Sequence, residues 1–573
     1  MAGRWSVTVN DLVRRRAGDP SPGVRCGDAL WSWEEHVRLS AQRATFLDAQ
    51  RTALQGASTT RPFHIGVLLE NVPEYSFLLA AAAVSGTVVV GLNPTRRGTE
   101  LARDINHTGC ALLLTGDAHA DQLRDAVPDF PNSRVWNTDD PRWAEALAPY
   151  AGAALPPVSP APDDPFMLIL TSGTTGDPKA VICSQGKIAT QGSSLVAAEK
   201  LTGDDVAYCA MPLFHSNAVI TCWAPAVASG ATLVLRRRFS ASGFLPDVRK
   251  YRVTYANYVG KPLSYILATP ERPDDADNTL TRVFGNEGGP QDVERFARRF
   301  GCSVRDGFGS TEGGLSFIPV SGMPPGALGT ANGDIRVIDP ETREECPRGR
   351  FDAAGRLLNA DEAVGELVNL DGAGAFEGYW NNDAATADRL RDGWYWSGDL
   401  AYRDADGLFF FAGRSGEWLR VNGENFGAAP VARILARHPD IALVAVYGVP
   451  DEAAGDQAMA AVVLREGVGA EEFARGFAAW QARQPDLSPT WRPRYVRLSA
   501  ELPHTHTNKV LVRVLARQAW YAPAPDEVWF RSGRDAAYRP LTDADVKATE
   551  GRFAEHGRAH VLDLLEPPEQ PRQ

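Results

Sequence analysis

Short apolar runs alternate with amphipathic stretches over residues 1–400 of the chain. Ile65-Gly66-Val67-Leu68-Leu69 reads as a buried strand, and a helix is predicted after Pro73, a residue that suits a first helical turn. The alanine-rich run from Phe77 passes through Ser85-Gly86-Thr87 into Val88-Val89-Val90, a helix followed by a second buried strand. Ala231-Thr232-Leu233-Val234-Leu235 reads as another strand. Between Pro290 and Arg299, Val293, Phe296 and the following Phe300 recur at helical spacing, and Gly301 suits a C-terminal cap. Strands alternating with helices predict parallel sheets covered by helices, an α/β fold.

Near residue 400 the texture changes. Gly407 to Arg414 reads as a strand ending in a turn. Beyond it lie two predicted strands, 442–447 and 458–464, and a helix over 471–484. The division expected is a large domain over residues 1–413, a hinge at 414–416, a small α+β domain over 417–545 and a frayed tail over 546–573. At 573 residues the chain is too long for one ordinary core, which agrees with at least two domains.

The balance of 59 basic and 71 acidic residues leaves 12 net negative charges, which argues against a general nucleic-acid binder. Seven scattered cysteines, with no Cys-x-x-Cys pair, argue against a disulfide framework and for a reducing, cytoplasmic compartment. No signal peptide is read at the N-terminus. The most apolar stretch, from Phe77 to Leu92, is shorter than the ~20 residues of a spanning helix. The oligomeric state is left open.

The chemistry begins at Leu168-Ile169-Leu170-Thr171-Ser172-Gly173-Thr174-Thr175-Gly176-Asp177-Pro178-Lys179. An apolar strand runs into glycines, hydroxyls and one lysine. Small residues let backbone N–H groups approach a polyphosphate, hydroxyls add donors, and the lysine adds charge. The glycine spacing is not that of a Walker A loop. Downstream stand Asp306-Gly307-Phe308-Gly309-Ser310-Thr311-Glu312, then Tyr395-Trp396-Ser397-Gly398-Asp399-Leu400, then Gly413-Arg414, and finally Thr505-His506-Thr507-Asn508-Lys509.

These five strings, in this order, resemble the signatures of the acyl-CoA synthetase, luciferase and peptide-synthetase adenylation superfamily. Met211 to Ala218, which includes Phe214, His215 and Asn217, is similar to the very-long-chain acyl-CoA synthetase branch. So are Tyr258 to Leu263 and Phe284-Gly285-Asn286-Glu287-Gly288, and the nearest resemblance is to actinobacterial FadD-type fatty-acid–CoA ligases. The resemblance implies an N-terminal adenylation domain of sandwiched sheets and a small mobile C-terminal domain. It implies two half-reactions: a small-molecule acid and ATP give acyl-AMP and pyrophosphate, then CoA displaces AMP.

By the same resemblance, the loop from Thr171 to Lys179 would hold the phosphates, and residues 306–311 would line the nucleotide site. Glu312 would hold Mg²⁺. Asp399 and Arg414 would take the ribose. Lys509 would stabilise charge on the carboxylate and α-phosphate, then withdraw as the C-terminal domain turns and brings Val421 to Asn425 to the site. His215, with Phe214 and Asn217, would gate the substrate pocket, and Gly285, Asn286 and Glu287 would line it.

Some positions depart from the superfamily pattern. Ala180, Gln185 and Gly416 stand where relatives often have Gly, His and an Asp or Lys. Glu287 stands where many have a small residue; its carboxylate either bonds to loop backbone or meets an amino or hydroxyl group of the substrate. Arg236-Arg237-Arg238 reads as a solvated strand end or as a contact for the CoA 3′-phosphate. The ten histidines show no metal-ligand spacing. Three functions stay open at this point. The first is an acid–CoA ligase. The second is a ligase that adenylates nitrite and diazotises an aryl amine without CoA, for which Glu287 and Gln185 would supply a polar pocket. The third is a non-catalytic AMP- or acyl-binding sensor.

Overall fold

Valine- and leucine-rich runs too short for helices form the central strands, and the intervening amphipathic stretches cover them. The structure is a computed structural model of the 573-residue chain. It describes all residues except 1–4, 57–60, 172–178, 321, 325, 353–356, 415–417, 422–423, 454, 485, 505–509, 533–536 and 566–573.

The chain forms two compact units. The first comprises Met1–Gly288, Val293–Gly314 and Ala373–Arg391. It holds a six-stranded sheet in the order Val135–Asn137, Leu112–Thr115, Phe63–Leu68, Thr87–Gly91, Pro165–Thr171, Lys179–Ser184. All its pairings are parallel except the last. A second sheet has seven strands, in the order Ser303–Gly307, Arg282–Asn286, Tyr255–Val259, Val206–Cys209, Thr232–Leu235, Pro22–Cys26, Ala29–Ser32. It too is parallel apart from its terminal hairpin. The strand and helix expected from Ile65 and Pro73 are Phe63–Leu68 and Pro73–Ser85. The valine run is Thr87–Gly91, and the amphipathic helix is Pro290–Phe300. This is the α/β architecture that the alternation predicts.

The topology brings the chemistry-bearing loops to one kind of place. Thr171 ends a strand, Val259, Asn286 and Gly307 end three more, and the last three stand in register with one another. In open α/β sheets the crevice outside the carboxyl ends of the strands is where ligands bind, because the loops there are free of the ladder.

The second unit comprises Gly289–Asp292, Leu315–Gly372 and Asp392–Gln573. Its larger sheet is antiparallel, in the order Phe317–Ile318, Ala327–Ala331, Phe409–Arg414, Trp394–Arg403, Gly365–Asn369, Ile335–Ile338. By contact, then, this sheet groups with the chain beyond residue 414, not with the two parallel sheets. Residues 415 and 416 of the expected hinge lie outside the described residues. The smaller sheet has five strands, Ile441–Pro450, Asp456–Leu464, Tyr495–Leu498, Glu527–Phe530 and Arg539–Pro540. Val444, Val446, Val462 and Val496 pack there with Phe473 and Phe477 of the helix Ala470–Ala482. Among the described residues no helix is long and apolar enough to cross a membrane.

The expected frayed tail is a correction. Asp543–Glu555 is a helix, opened by a reciprocal capping box between Thr542 and Asp545. A short 3-10 helix, Ala559–Leu564, comes after it. Phe553 is fully buried, its ring 6.1 Å from that of Trp520. Burial of one aromatic ring outweighs the polarity of the rest of the helix. Phe553→Ala should therefore cost about 3–5 kcal/mol of stability in this unit, read by chemical unfolding; a loss near zero would return the segment to the status of a tail.

Candidate active site

Thr171 closes the strand Pro165–Thr171, and its Oγ1 donates to the Lys179 carbonyl at 3.3 Å, across the base of the loop. Residues 172–178, including Ser172, Gly173, Thr174, Thr175 and Gly176, lie outside the described residues. Lys179 begins the antiparallel return strand, with its ammonium 5.6 Å from the centre of the Tyr379 ring.

The loops expected to form the acid pocket are tied together by side-chain amides and one carboxyl. Asn217 is buried. Its Nδ2 donates to the Tyr258 carbonyl at 2.9 Å, and its Oδ1 accepts from Asn257 Nδ2 at 2.7 Å. Asn286 Nδ2 donates to the Gly307 carbonyl at 2.7 Å. Asp306 Oδ2 accepts from the Tyr258 hydroxyl and, at 2.7 Å, from Gly288 N–H. Gly285 makes room for this: a Cβ there would stand 2.4 Å from the Tyr258 ring. Asp306 and Asn217 therefore hold loops in place. His215 caps a short helix, Ser216–Ala218, its Nδ1 accepting from Asn217 N–H at 3.3 Å, and Phe214 beside it is buried. Ser216 Oγ and Thr311 Oγ1 are 2.8 Å apart, which joins this turn to the Thr311-Glu312 loop.

Two residues that the sequence reading passed over converge on Glu312. Lys187, in the first turn of the helix Gln185–Glu199, is fully buried. Its Nζ donates to the carbonyls of Thr311 and Glu312, each at 3.0 Å. Tyr379 OH donates to Glu312 Oε1 at 2.9 Å. The only sequence sign of Lys187 is a charge inside the small, apolar run Gly186-Lys187-Ile188-Ala189. Ser310 Oγ accepts from Gly313 N–H at 3.3 Å and tightens the same turn, which starts at Phe308 and Gly309.

In the second unit, Asp399 is buried on Trp394–Arg403 and stands directly opposite Arg414 in the antiparallel ladder. Glu366 Oε1 accepts from Gly398 N–H at 2.6 Å and fixes the turn of backbone just before Asp399. Two residues separated by a hairpin are thus brought to one ladder position. Lys509 lies outside the described residues, as do Asn422 and Gly423.

The family model for the AMP-binding enzyme matches residues 26–380, and that for the AMP-binding enzyme C-terminal domain matches residues 431–509. The chain belongs to the AMP-binding enzyme family. It is 46% identical over 561 residues to a steroid-22-oyl-CoA synthetase of Rhodococcus jostii (strain RHA1), covering 97% of this chain and 99% of that protein. It is 49% identical over 522 residues to the medium/long-chain-fatty-acid–CoA ligase FadD17 of Mycobacterium tuberculosis, 91% of this chain and 98% of that one. Among solved structures, ATP-bound MatB from Rhodopseudomonas palustris superposes with a TM-score of 0.74 at 22% identity, over 89% of this chain and 99% of that one. The anthranilate CoA ligase AuaEII in complex with anthranoyl-AMP gives 0.76 at 19% identity, over 90% and 98%. These two show the shared fold.

Magnesium, which the resemblance implies, fits what this AMP-binding enzyme presents. Among the described residues no cluster of three or more His, Cys, Asp or Glu side chains forms a closed metal cage. Glu312 is half-buried, with one carboxylate oxygen on Tyr379 and the other without a hydrogen-bond partner among the described residues. One free hard oxygen suits an ion that keeps waters and arrives on substrate phosphates.

One reading of the sequence is corrected here. Gln185 is fully buried, and both ends of its amide are engaged: Nε2 donates to the Ala83 carbonyl and Oε1 accepts from Asn10 N–H, both at 3.1 Å. The nitrite-adenylating alternative loses that support, and the relatives are CoA ligases and synthetases. Arg237 and Arg238 share Glu70, and Arg236 pairs with Asp247, so three exposed cations meet two carboxylates at what is a solvated strand end. Glu287 is exposed, in a left-handed conformation with φ of 63°. An exposed carboxylate does not need the internal partner that a buried one would.

Burial pushes the Asp306 carboxyl up to about 7, and the Glu287 charge adds to the rise, against the bonds from Tyr258 and Gly288. An acid raised on folding costs nothing below its unfolded value, about 4. The cost grows as pH climbs through the folded value and then levels off. Asp306→Asn should thus gain stability relative to the native enzyme between about pH 4 and pH 8. Melting curves at stepped pH test this, and a constant difference across the range would contradict it.

Proposed function

We propose that this AMP-binding enzyme is an ATP-dependent acid–CoA ligase whose acid carries an extended apolar body, of the medium- to long-chain fatty or sterol side-chain class. The support for the substrate class is a small apolar cavity of about 20 Å³ in the first unit, whose side chains would have to part to admit a tail. Ala210, Ala256, Tyr258 and Val283 line it from the strand side, and Phe244 and Phe296 from the covering helices. Tyr258 belongs to both places: it lines the cavity, and its hydroxyl holds Asp306 beside the loop at Gly288. An acid seated with its carboxylate at the strand ends would pass Tyr258 and leave its tail among these side chains, where burial of each methylene contributes about 0.8 kcal/mol. The printed names of the two relatives point to acids of that kind.

In the first half-reaction a carboxylate oxygen attacks the α-phosphorus of ATP, the bond to the bridging oxygen breaks, and pyrophosphate leaves. Both reactants are anionic, so the geometry must supply donors and positive charge where charge builds up. The loop from Thr171 to Lys179 is assigned the phosphates, and Glu312 the magnesium. When bound, Mg²⁺ supplies positive charge at the phosphate oxygens. Residues 306–311 set the position of Glu312, and His215 with Phe214 borders the acid. Asp399 and Arg414 are assigned the ribose, and Lys509 the developing charge. In the second half-reaction the CoA thiolate attacks the acyl carbon, the bond to AMP breaks, and the thioester leaves; the thiol proton has gone to solvent. The hinge at 414–416 is assigned the turn between the two steps.

The direct test is AMP formation with a panel of acids, with and without CoA. Sustained AMP and thioester formation only when both CoA and an apolar acid are present supports the reading; equal turnover without CoA opposes it. The cavity makes a sharper demand. Ala256→Phe should lower kcat/KM for hexadecanoate roughly tenfold or more relative to hexanoate, because a pocket filled by protein has no room for the tail. Retained turnover of the short acid reports an intact fold, and an unchanged ratio removes the cavity from the acid's path.

Lys509→Ala should slow adenylate formation by about 2.7–4 kcal/mol, the scale for loss of one group that acts at the transition state. Transfer from preformed acyl-AMP to CoA should be nearly untouched. Equal loss in both half-reactions would contradict the turning hinge.

A further inference from the structure

Lys187 is a buried charge with no ion pair among the described residues. Its side chain is wholly enclosed, and its two hydrogen bonds go to main-chain carbonyls of consecutive residues, Thr311 and Glu312. A buried ammonium without a counter-charge is costly, and neutral leucine or methionine would fill the space without that cost. What the ammonium does that an apolar group could not is hold two successive carbonyls pointing the same way. The loop then has one permitted path. Gly313 comes next in the left-handed region at φ of 71°, where a Cβ would stand 3.1 Å from Ala375 Cβ, 3.3 Å from Gln191 Nε2 and 3.7 Å from Lys187 Cε. The backbone after Glu312 is thus laid directly against the helix that carries Lys187.

The lysine's own position is over-determined. Its backbone N–H donates to Ser184 Oγ at 3.1 Å, and Ser184 donates from both its N–H and its hydroxyl to Glu377, at 2.8 and 2.6 Å. Glu377 lies two residues before Tyr379, which holds the Glu312 carboxylate. One short segment therefore fixes both ends of the arrangement: the helix start behind the loop and the carboxylate in front of it.

We infer that Lys187 is a positioning residue for adenylation, which acts through the carbonyls of Thr311 and Glu312 to aim the Glu312 carboxylate at the nucleotide-borne cation. The inference rests on the assignment of Glu312 to magnesium.

The test compares Lys187→Met and Lys187→Gln with the native enzyme and with Glu312→Gln. Calorimetry measures ATP binding with Mg²⁺ and in EDTA, without acid or CoA. Both Lys187 variants should weaken Mg·ATP binding about five- to tenfold, and ATP binding in EDTA by less than about twofold, on the scale of a lost charge-assisted hydrogen bond. They should lower the adenylation kcat with the KM for the acid unchanged, and leave transfer from preformed acyl-AMP intact. Should Lys187→Met fail to fold, Lys187→Gln, which keeps one donor in the same space, carries the comparison. Lys187 variants that melt earlier yet bind Mg·ATP as the native enzyme does would overturn the inference. The control separates the two layers. If Glu312→Gln also leaves Mg·ATP binding unchanged, the magnesium assignment fails; if only the Lys187 variants do, that assignment stands and the inference alone falls.

Discussion

A buried ammonium must be given oxygen atoms, and in this enzyme the Thr311-Glu312 backbone gives them. That single requirement explains much of the geometry around the Glu312 loop. Lys187 can reach two carbonyls only if the helix Gln185–Glu199 begins where it does, and Ser184 and Glu377 set that beginning. Glu377 can reach Ser184 only because the chain from Gly378 to Trp380 lies along the strand Lys179–Ser184. There Ile182 N–H donates to the Gly378 carbonyl at 3.1 Å, and Trp380 N–H to the Ala180 carbonyl at 2.8 Å. The strand that returns from the loop after Thr171 is therefore the same one that places Tyr379 on Glu312. Low surrounding polarity strengthens each of these bonds and makes each expensive to leave unmade.

The polar residues at the strand ends divide by what they touch. Asn217, Asn286 and Asp306 spend their side chains on neighbouring backbone and on Tyr258. They hold three adjacent strand ends, Val259, Asn286 and Gly307, in register and hold the loops that leave them. Glu312 and Thr171 stand on the loops so held, and a carboxylate with an oxygen to spare is what such loops can offer a substrate. A signature string read from the sequence mixes the two kinds: Asp306 and Glu312 stand six positions apart in one string, yet the first is consumed by the scaffold.

The same physics decides which features were legible in the sequence. Runs with strand or helix periodicity, such as 65–69, 88–90, 290–299 and 458–464, became elements because their apolar faces had to be buried. Asp543–Glu555 escaped notice because its apolar contribution is little more than Phe553, among Asp543, Asp545, Lys547 and Glu550. The order of the five signature strings revealed the family, since each string is a local device. Lys187 was illegible for two reasons: lysine is a surface residue on composition alone, and its partners are main-chain atoms 124 and 125 residues away, which leave no mark in a pattern of side chains. Gln185 misled for the converse reason. A polar residue beside a glycine-rich loop looks like a site residue, whereas its amide is satisfied by Asn10 and Ala83, remote in sequence and adjacent in space.

The division between scaffold and site bears on how this enzyme can choose its acid. The asparagines and Asp306 near the pocket are already hydrogen-bonded within the protein, so they have little left with which to recognise a polar substituent. On the proposed reading, selection would fall to shape and to apolar contact around Tyr258. Such selection is gradual: one methylene more or less changes the affinity by about 0.8 kcal/mol, whereas a site built to bond a hydroxyl rejects its absence by several orders of magnitude. An enzyme of this construction should rank acids smoothly by how much apolar body they bury. On the proposed reading its fidelity would reside in the Glu312 geometry that Lys187 and Tyr379 hold. Tyr258 joins the two places: it lines the small apolar cavity, and its hydroxyl donates to Asp306.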